Sequence, residues 1–225
     1  MDRQLLLACQ KGRGEEVKQL LKSTRININV KDETMYNFGE TPLMYACANG
    51  RIEIVETLLK DKRLNINISD SLGRTAFFHV CRGGEVEIAN LLLKEEKLDI
   101  NIQSDGKTPL FLACNFGQYE ILRLILAYRS INEVNIKFKN QKGETLIEVA
   151  REASQQRKKS WENFEHYLVK KTLFLDIIKL LESYSNDPNG TRCELRKQLG
   201  LAGIFFVFLF FILSFFFLSF FLFFF

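Results

Sequence analysis

The phrase GETPLMYACANG at residues 39–50 constrains this chain more than any other stretch, because versions of it return at a nearly fixed distance. It comes back as GRTAFFHVCRGG, as GKTPLFLACNFG and, in a weaker form, as GETLIEVA. The threonines of the four phrases are 34, 33 and 37 residues apart, at Thr41, Thr75, Thr108 and Thr145. A period of about 20 to 50 residues predicts a solenoid of stacked units.

The residues of each phrase suit a helical pair. Thr favours the N-cap of a helix, Pro suits its first turn, and the glycine at the end of each phrase favours the left-handed conformation that stops it. A second helical pattern follows at 52–59, 86–93 and 119–126. Each pair has one apolar flank that it cannot bury alone, so the units are expected to stack into a continuous core.

The period and the T-P-L core resemble those of the ankyrin repeat. The resemblance implies an all-α solenoid of helix-turn-helix units with hairpin fingers, of about four to five repeats. The alternating stretches 26–30, 64–68 and 98–102 correspond to the stems of those fingers. The expected domain is 1–187, with repeats at roughly 1–38, 39–72, 73–105, 106–142 and 143–187, the first a capping repeat and the last carrying an insertion at about 152–171.

Two features of the phrases bear on packing. Where the family usually has His after T-P-L, this chain has Met44, Phe78 and Phe111, so the hydrogen bonding of that His is expected to be lost. Four of the five cysteines align at one small, buried position of the pattern, at Cys9, Cys47, Cys81 and Cys114. We expect them to pack as free thiols, because helices about 8–10 Å apart hold their Cα atoms too far apart for a disulfide.

The C-terminal segment 201–225 contains no charged residue and is dominated by Phe and Leu. As a helix it would be about 37 Å long, against about 30 Å for the hydrocarbon core of a bilayer. Basic residues in the preceding segment 188–200, which is expected to be a linker, place the repeats on the cytosolic face of a membrane. Cys193 in that segment is a candidate for palmitoylation, the alternative being an idle exposed thiol.

Composition argues against several other functions. The net charge of +4 is mild for 225 residues, and the charges alternate in sign, so we expect no nucleic-acid binding. His79 and His166 are far apart, and no nucleophile, phosphate-binding or metal-binding motif is present. We therefore expect no catalytic activity, metal, cofactor or small-molecule substrate.

The ankyrin resemblance implies a concave partner-binding surface made of finger tips and first helices. By position its residues would be Tyr45, His79, Arg82, Leu112, Asn115 and Phe116, although Leu112 and Phe116 also suit packing against the next repeat. The first finger is four residues longer than the second. Its additional apolar side chains, Met35, Tyr36 and Phe38, are expected to contact a partner, since no repeat needs them.

The sequence thus predicts a non-catalytic protein-binding scaffold, anchored to a membrane by its tail and facing the cytosol. Two alternatives remain open at this point. The stack is a regulatory fragment of a larger membrane channel or enzyme, or it is a soluble cytosolic adaptor whose Phe-rich tail is spurious. Thymine-rich codons encode Phe, Leu, Ile and Ser, which is why a misread frame would give such a tail.

Overall fold

A computed structural model describes residues 1–34, 38–130, 133–155 and 164–201, with the backbone alone for 164–170. These residues form eleven helices and no strand, which agrees with the predicted all-α class. The helices are α1 (Asp2–Lys11), α2 (Gly14–Leu21), α3 (Pro42–Ala48), α4 (Ile52–Leu59), α5 (Ala76–Gly83), α6 (Val86–Leu93), α7 (Pro109–Asn115), α8 (Tyr119–Tyr128), α9 (Leu146–Gln155), α10 (Phe164–Asn186) and α11 (Pro188–Gln198).

The threonine of each phrase starts a helix as predicted. The hydroxyl oxygens of Thr41, Thr75 and Thr108 accept the backbone N–H groups three residues on at 3.2–3.3 Å. Thr145 does the same at the start of α9, where Glu148 completes a reciprocal capping pair by accepting from the backbone of Thr145 at 2.7 Å. Each cap satisfies a backbone donor that the first helical turn would otherwise leave unpaired.

The loss of hydrogen bonding expected at Met44 did not occur. The backbone N–H of Thr41 donates to Met44 Sδ at 3.4 Å, so the thioether takes the place of a capping side chain in this pair. A thioether is a weak acceptor, yet it is long enough to reach back over the first turn. At Phe78 and Phe111 the same position is filled by a buried ring.

The helices form two layers. The first helices of the pairs, α1, α3, α5, α7 and α9, contact one another in that order, and so do the second helices, α2, α4, α6 and α8. After α8 the outer layer is continued by α10, which also packs on α9. The apolar core therefore continues from one described helical pair to the next, and each pair packs against a neighbouring pair.

The aligned cysteines lie at the centre of this core. Cys9, Cys47, Cys81 and Cys114 are fully buried and free, as the sequence predicts. Burial raises the pKa of all four thiols, that of Cys9 and Cys114 to about 12. A thiol in that state is a small apolar side chain and a poor nucleophile, because nucleophilicity requires the thiolate.

The alternating stretches differ from their predicted role as hairpin stems. They form turns in which the apolar residues face the core, and the hairpin contacts come later, between Asp32 and Glu40 and between Asp70 and Arg74. The alternating asparagines instead connect successive pairs. Asn67 donates from its side-chain amide to the carbonyl of Lys97 at 2.6 Å and accepts from the backbone of Asp99 at 2.9 Å. Asn29 makes the equivalent two bonds one pair earlier.

The segment 188–200 also differs from its prediction. It contains α11, which packs on α8 and α10, where the sequence indicates a linker. Asp187 caps this helix by accepting the backbone N–H of Gly190 at 3.0 Å, and Pro188 fits its first turn. The turn-forming residues therefore start a helix, and the burial of Leu195 holds that helix on the stack.

Of the insertion predicted at about 152–171, residues 152–155 belong to α9 and 164–171 to α10, while 156–163 lie outside the described residues. None of the helices formed by the described residues has the length and apolar character needed to cross a membrane. Residues 202–225, which carry the predicted anchor, lie outside the described residues.

We predict that Asn67→Ala lowers the free energy of unfolding by about 2 kcal/mol, because it removes two hydrogen bonds between neighbouring pairs. Asn65→Ala is the matched control, since within the described part of the chain the Asn65 side chain accepts one hydrogen bond, from the backbone of Asn67 in the same loop. Urea unfolding followed by circular dichroism measures both. Equal destabilisation by the two variants would contradict the bridging role of Asn67.

Candidate partner-binding groove

A groove of about 600 Å³ runs between two fingers and two first helices in the middle of the stack. Its finger side comes from the loops that precede α5 and α7, and its helix side comes from α5 and α7 themselves. It is lined by Ser71, Leu72, Arg74, Phe78, Arg82, Ser104, Asp105, Lys107, Leu112, Asn115 and Phe116. Four of the sequence-predicted contact residues, Arg82, Leu112, Asn115 and Phe116, are thus brought to one place.

The groove has an apolar interior with two exposed apolar side chains. Phe78 and Leu112 are buried, while Leu72 on the finger side is 48 % exposed and Phe116 on the helix side 45 % exposed. Apolar side chains this exposed in a concave site leave area that a ligand would remove from water. The exposure of Phe116 leaves it available to a partner, whereas the burial of Leu112 fits the alternative that it packs against the neighbouring pair.

The groove is held in shape by contacts between its two fingers. Ser104 Oγ donates to the carbonyl of Leu72 at 2.6 Å, which joins the tip of one finger to the next. Gly73 permits this approach, because its φ is +78° and a Cβ there would lie 3.1 Å from the carbonyl oxygen of Gln103. Only glycine adopts this conformation readily, so the close contact requires it.

Positive charge outweighs negative charge along the groove. Arg82 is exposed in the last turn of α5 and makes no ion pair with any described residue. The Lys107 ammonium lies 3.9 Å from Asp105, and both side chains reach solvent. The third cation, Arg74, is largely buried and is committed to Asp70, with 2.6 Å between Arg74 Nε and Asp70 Oδ2.

Phe38 extends the groove towards the first finger. Its ring lies over the Arg74 guanidinium, with 5.5 Å from Arg74 Cζ to the ring centroid, and it is 50 % exposed. Its backbone has a φ of +38°, which is unfavourable for a bulky side chain. Asp105, which stands at the same place before the glycine of its finger, adopts a similar φ of +50° with a residue type that tolerates it. The chain therefore keeps an exposed aromatic ring at a strained position.

A buried polar cluster underlies this surface. The ligand-type atoms of Glu40, Asp70 and His79 all lie within 4.8 Å of one another. His79 Nε2 is 3.8 Å from Glu40 Oε1 and has no hydrogen-bond partner. The residue types suit a cation, but the Arg74 guanidinium already lies against both carboxylates, 3.6 Å from Glu40. The cluster is an ion-pair network in which Arg74 joins the carboxylates of two successive fingers, with the neutral His79 of α5 packed beside them, and no sequence pattern predicted it.

Burial sets the protonation of this cluster. It lowers the pKa of His79 to about 4, with Arg74 and Arg82 acting in the same direction. It also raises the pKa of Glu40, against the opposing effect of Arg74. His79 is therefore neutral at neutral pH, and the charge of the cluster comes from its carboxylates and Arg74.

The prediction that Tyr45 and His79 face a partner is corrected by their burial. His79 is 9 % exposed within the cluster, and the Tyr45 hydroxyl donates to Asp32 Oδ2 at 2.8 Å. Tyr45 points towards the finger that precedes its own helix, whereas His79 Nε2 lies 3.8 Å from Glu40 of the finger before that of α5. One edge of Tyr45 lines a second groove of about 830 Å³ beside α1.

Of the remaining predicted residues, Phe38 is exposed as expected, whereas Met35 and Tyr36 lie outside the described residues. Cys193 is exposed on α11. Sequence reasoning missed Leu72, Arg74 and Lys107. Leu72 could have been found, because it stands directly before a glycine in its finger as Phe38 does in the first.

Stacked helical pairs, capped by threonine and joined through their fingers beside a groove, define a repeat-type binding scaffold. A family model described as "Ankyrin repeats (3 copies)" matches residues 3–70 and 62–140, which together are more than half of the chain. The chain belongs to the ankyrin-repeat family, whose members are in general non-catalytic protein–protein interaction modules. No match was found among curated proteins.

We predict that acid destabilises the stack through His79. Its folded pKa lies below the unfolded value of about 6.5, so the unfolded state binds the proton first and stability falls as the pH drops from 6.5 towards 4. The loss is on the order of 3 kcal/mol. Glu40 acts oppositely, because its raised pKa favours the folded state once it is protonated.

Urea unfolding at several pH values between 7 and 4 measures this slope. In His79→Gln the loss of stability on acidification should be smaller than in the natural protein. His166→Gln, which removes the other histidine of the chain, is the control. A slope that persists in His79→Gln and disappears in His166→Gln would contradict the assignment.

Proposed function

We propose that this ankyrin stack binds a protein partner in the groove between its fingers and the first helices α5 and α7. The observation that carries the proposal is that Leu72 and Phe116, both about half exposed, line one groove beside Arg82, which pairs with no carboxylate of the described residues. Aromatic, aliphatic and arginine side chains gathered in one concave site are typical of the residues that dominate binding energy.

The strain at Phe38 supports the same surface. A ring kept half exposed at a positive φ is more readily explained by a contact with a partner than by stability, since strained residues concentrate at binding sites. The interaction of Phe38 with Arg74 joins it to the groove, so the proposed surface includes the first finger. Met35 and Tyr36 belong to that finger and are proposed contacts as well.

Two features support a protein partner over nucleic acid or substrate. The groove has few cations, whereas nucleic-acid binding rests on many phosphate contacts. The described side chains of the buried polar cluster are held among themselves, because its carboxylates are bound to Arg74 and its histidine is neutral. The proposed role is to hold one protein where another, or a membrane, requires it.

We further propose that residues 201–225 anchor the chain in a membrane, with the repeats on its cytosolic face, and that the pair α9 and α10 is a diverged fifth repeat. The anchor is supported by a run of 25 residues without charge and by the basic side chains at the end of α11, Arg196 and Lys197. Cys193 on the same helix is the residue proposed for acylation.

Site-specific photocrosslinking tests the groove. A photoreactive amino acid at position 116 should capture a discrete protein when the full chain is expressed in its own cells. The same amino acid at Val86, an exposed apolar position of the second helix α6, is the matched control and should capture little. Equal capture at both positions, or capture at Val86 alone, would contradict the groove as the binding site.

Flotation of cell membranes on a density gradient, after carbonate extraction, tests the anchor. The full chain should float with the membranes, because about twenty apolar residues favour insertion strongly. A variant with Leu209→Asp and Leu213→Asp should remain at the bottom, since each Asp near the centre of a span opposes insertion by about 2.5–3.5 kcal/mol. A natural chain that does not float would contradict the anchor without affecting the groove.

A further inference from the structure

We infer that the partner inserts a segment in which an acidic side chain stands next to a large apolar side chain, the acid binding Arg82 and the apolar side chain packing between Leu72 and Phe116. This inference rests on the proposed function and names the chemistry of the ligand for the same groove. The groove offers a cation, Arg82, and an apolar pair, Leu72 and Phe116, and all three residues line the same groove.

Arg82 is the cation of the groove that favours an acidic ligand. It is exposed at the C-terminal end of α5, and no described carboxylate pairs with it. Asp105 is the acidic residue among those lining the groove, and it lies towards Lys107. A guanidinium that meets a carboxylate forms charge-assisted, often two-pronged hydrogen bonds, which are stronger than neutral ones. Arg82 is thus available for a carboxylate from outside the chain.

Lys107 is a second cation of the groove, and its ion pair with Asp105 is weak. The Lys107–Asp105 contact is 3.9 Å long between exposed side chains, and such surface pairs contribute about 0–1 kcal/mol. A ligand carboxylate can therefore draw Lys107 away from Asp105 without a large loss. Arg74 differs, because its guanidinium is bound within the buried cluster and covered by Phe38.

The same charges argue against other ligands. A basic segment would bring a like charge to Arg82, and a wholly apolar segment covering it would remove its guanidinium from water without a partner, which is costly. A neutral polar segment offers only uncharged acceptors, whose hydrogen bonds to the guanidinium are weaker than those of a carboxylate. Acidic side chains alone would leave Leu72 and Phe116 half exposed, and the apolar interior formed by Phe78 and Leu112 would go unused. Only a segment that carries both an acidic and a large apolar side chain would pair with Arg82 and also cover Leu72 and Phe116.

A display library of random short peptides, screened against the full chain in detergent micelles, tests this inference. We expect the enriched peptides to carry Asp or Glu one or two positions from Leu, Phe, Met or Trp. Arg82→Glu should weaken the best peptide at least about tenfold, equivalent to about 1.4 kcal/mol. Binding should also weaken at high salt, because part of the attraction is between exposed charges.

Lys60→Glu is the matched control, because it makes the same charge reversal at an exposed position that follows the second helix α4. It should leave the affinity unchanged. Phe116→Ala should weaken binding as well, since it removes the apolar wall. Replacing the acidic residue of the best peptide by its amide should reproduce the loss seen with Arg82→Glu.

The outcomes separate two kinds of failure. Peptides that lack acidic residues, and whose affinity falls with Phe116→Ala but not with Arg82→Glu, would overturn the inferred chemistry and leave the groove as the binding site. Peptides unaffected by either substitution would overturn the proposed site itself. Peptides that bind only when a phosphorylated residue replaces the carboxylate would overturn the choice of a carboxylate ligand.

Discussion

The structure depends on one constraint, which is that no helical pair in this chain can bury its own apolar flank. The first helices contact one another in order, and Cys47, Cys81 and Cys114 are fully buried at the same position of successive pairs. A larger residue there would hold the helices apart. Because each pair is fixed by its neighbours, the fingers are fixed too, and the groove exists before a partner arrives.

Several side chains whose role the sequence did not predict hold neighbouring helical pairs in position. Asn67 joins one loop to the next, Ser104 joins one finger tip to the next, and Arg74 joins the carboxylates of two successive fingers. A groove whose walls are joined in this way loses little conformational entropy on binding, which favours affinity. Phe38 is the exception, since it keeps a ring exposed at an unfavourable backbone angle.

Local chemistry explains why some of this was predictable from sequence. Thr41 as a helix cap, Gly84 as a helix stop and the buried thiols follow from the residue type and the period alone. The burial of Tyr45 and His79 does not, because it depends on Asp32 and Glu40 of the first finger, which lie 13 and 39 residues before them in sequence. Likewise Asp187 and Pro188 signal a turn or a helix start equally well, and only the contact of Leu195 with the stack decides between them.

Hydrogen–deuterium exchange of the full chain, with and without its captured partner, tests the central claim most directly. A partner in the preformed groove should slow exchange in the finger and helix segments 71–83 and 104–117. The second helices α2, α4 and α6 on the other layer should exchange as before. Slowing confined to those second helices, or spread evenly over the stack, would contradict the account.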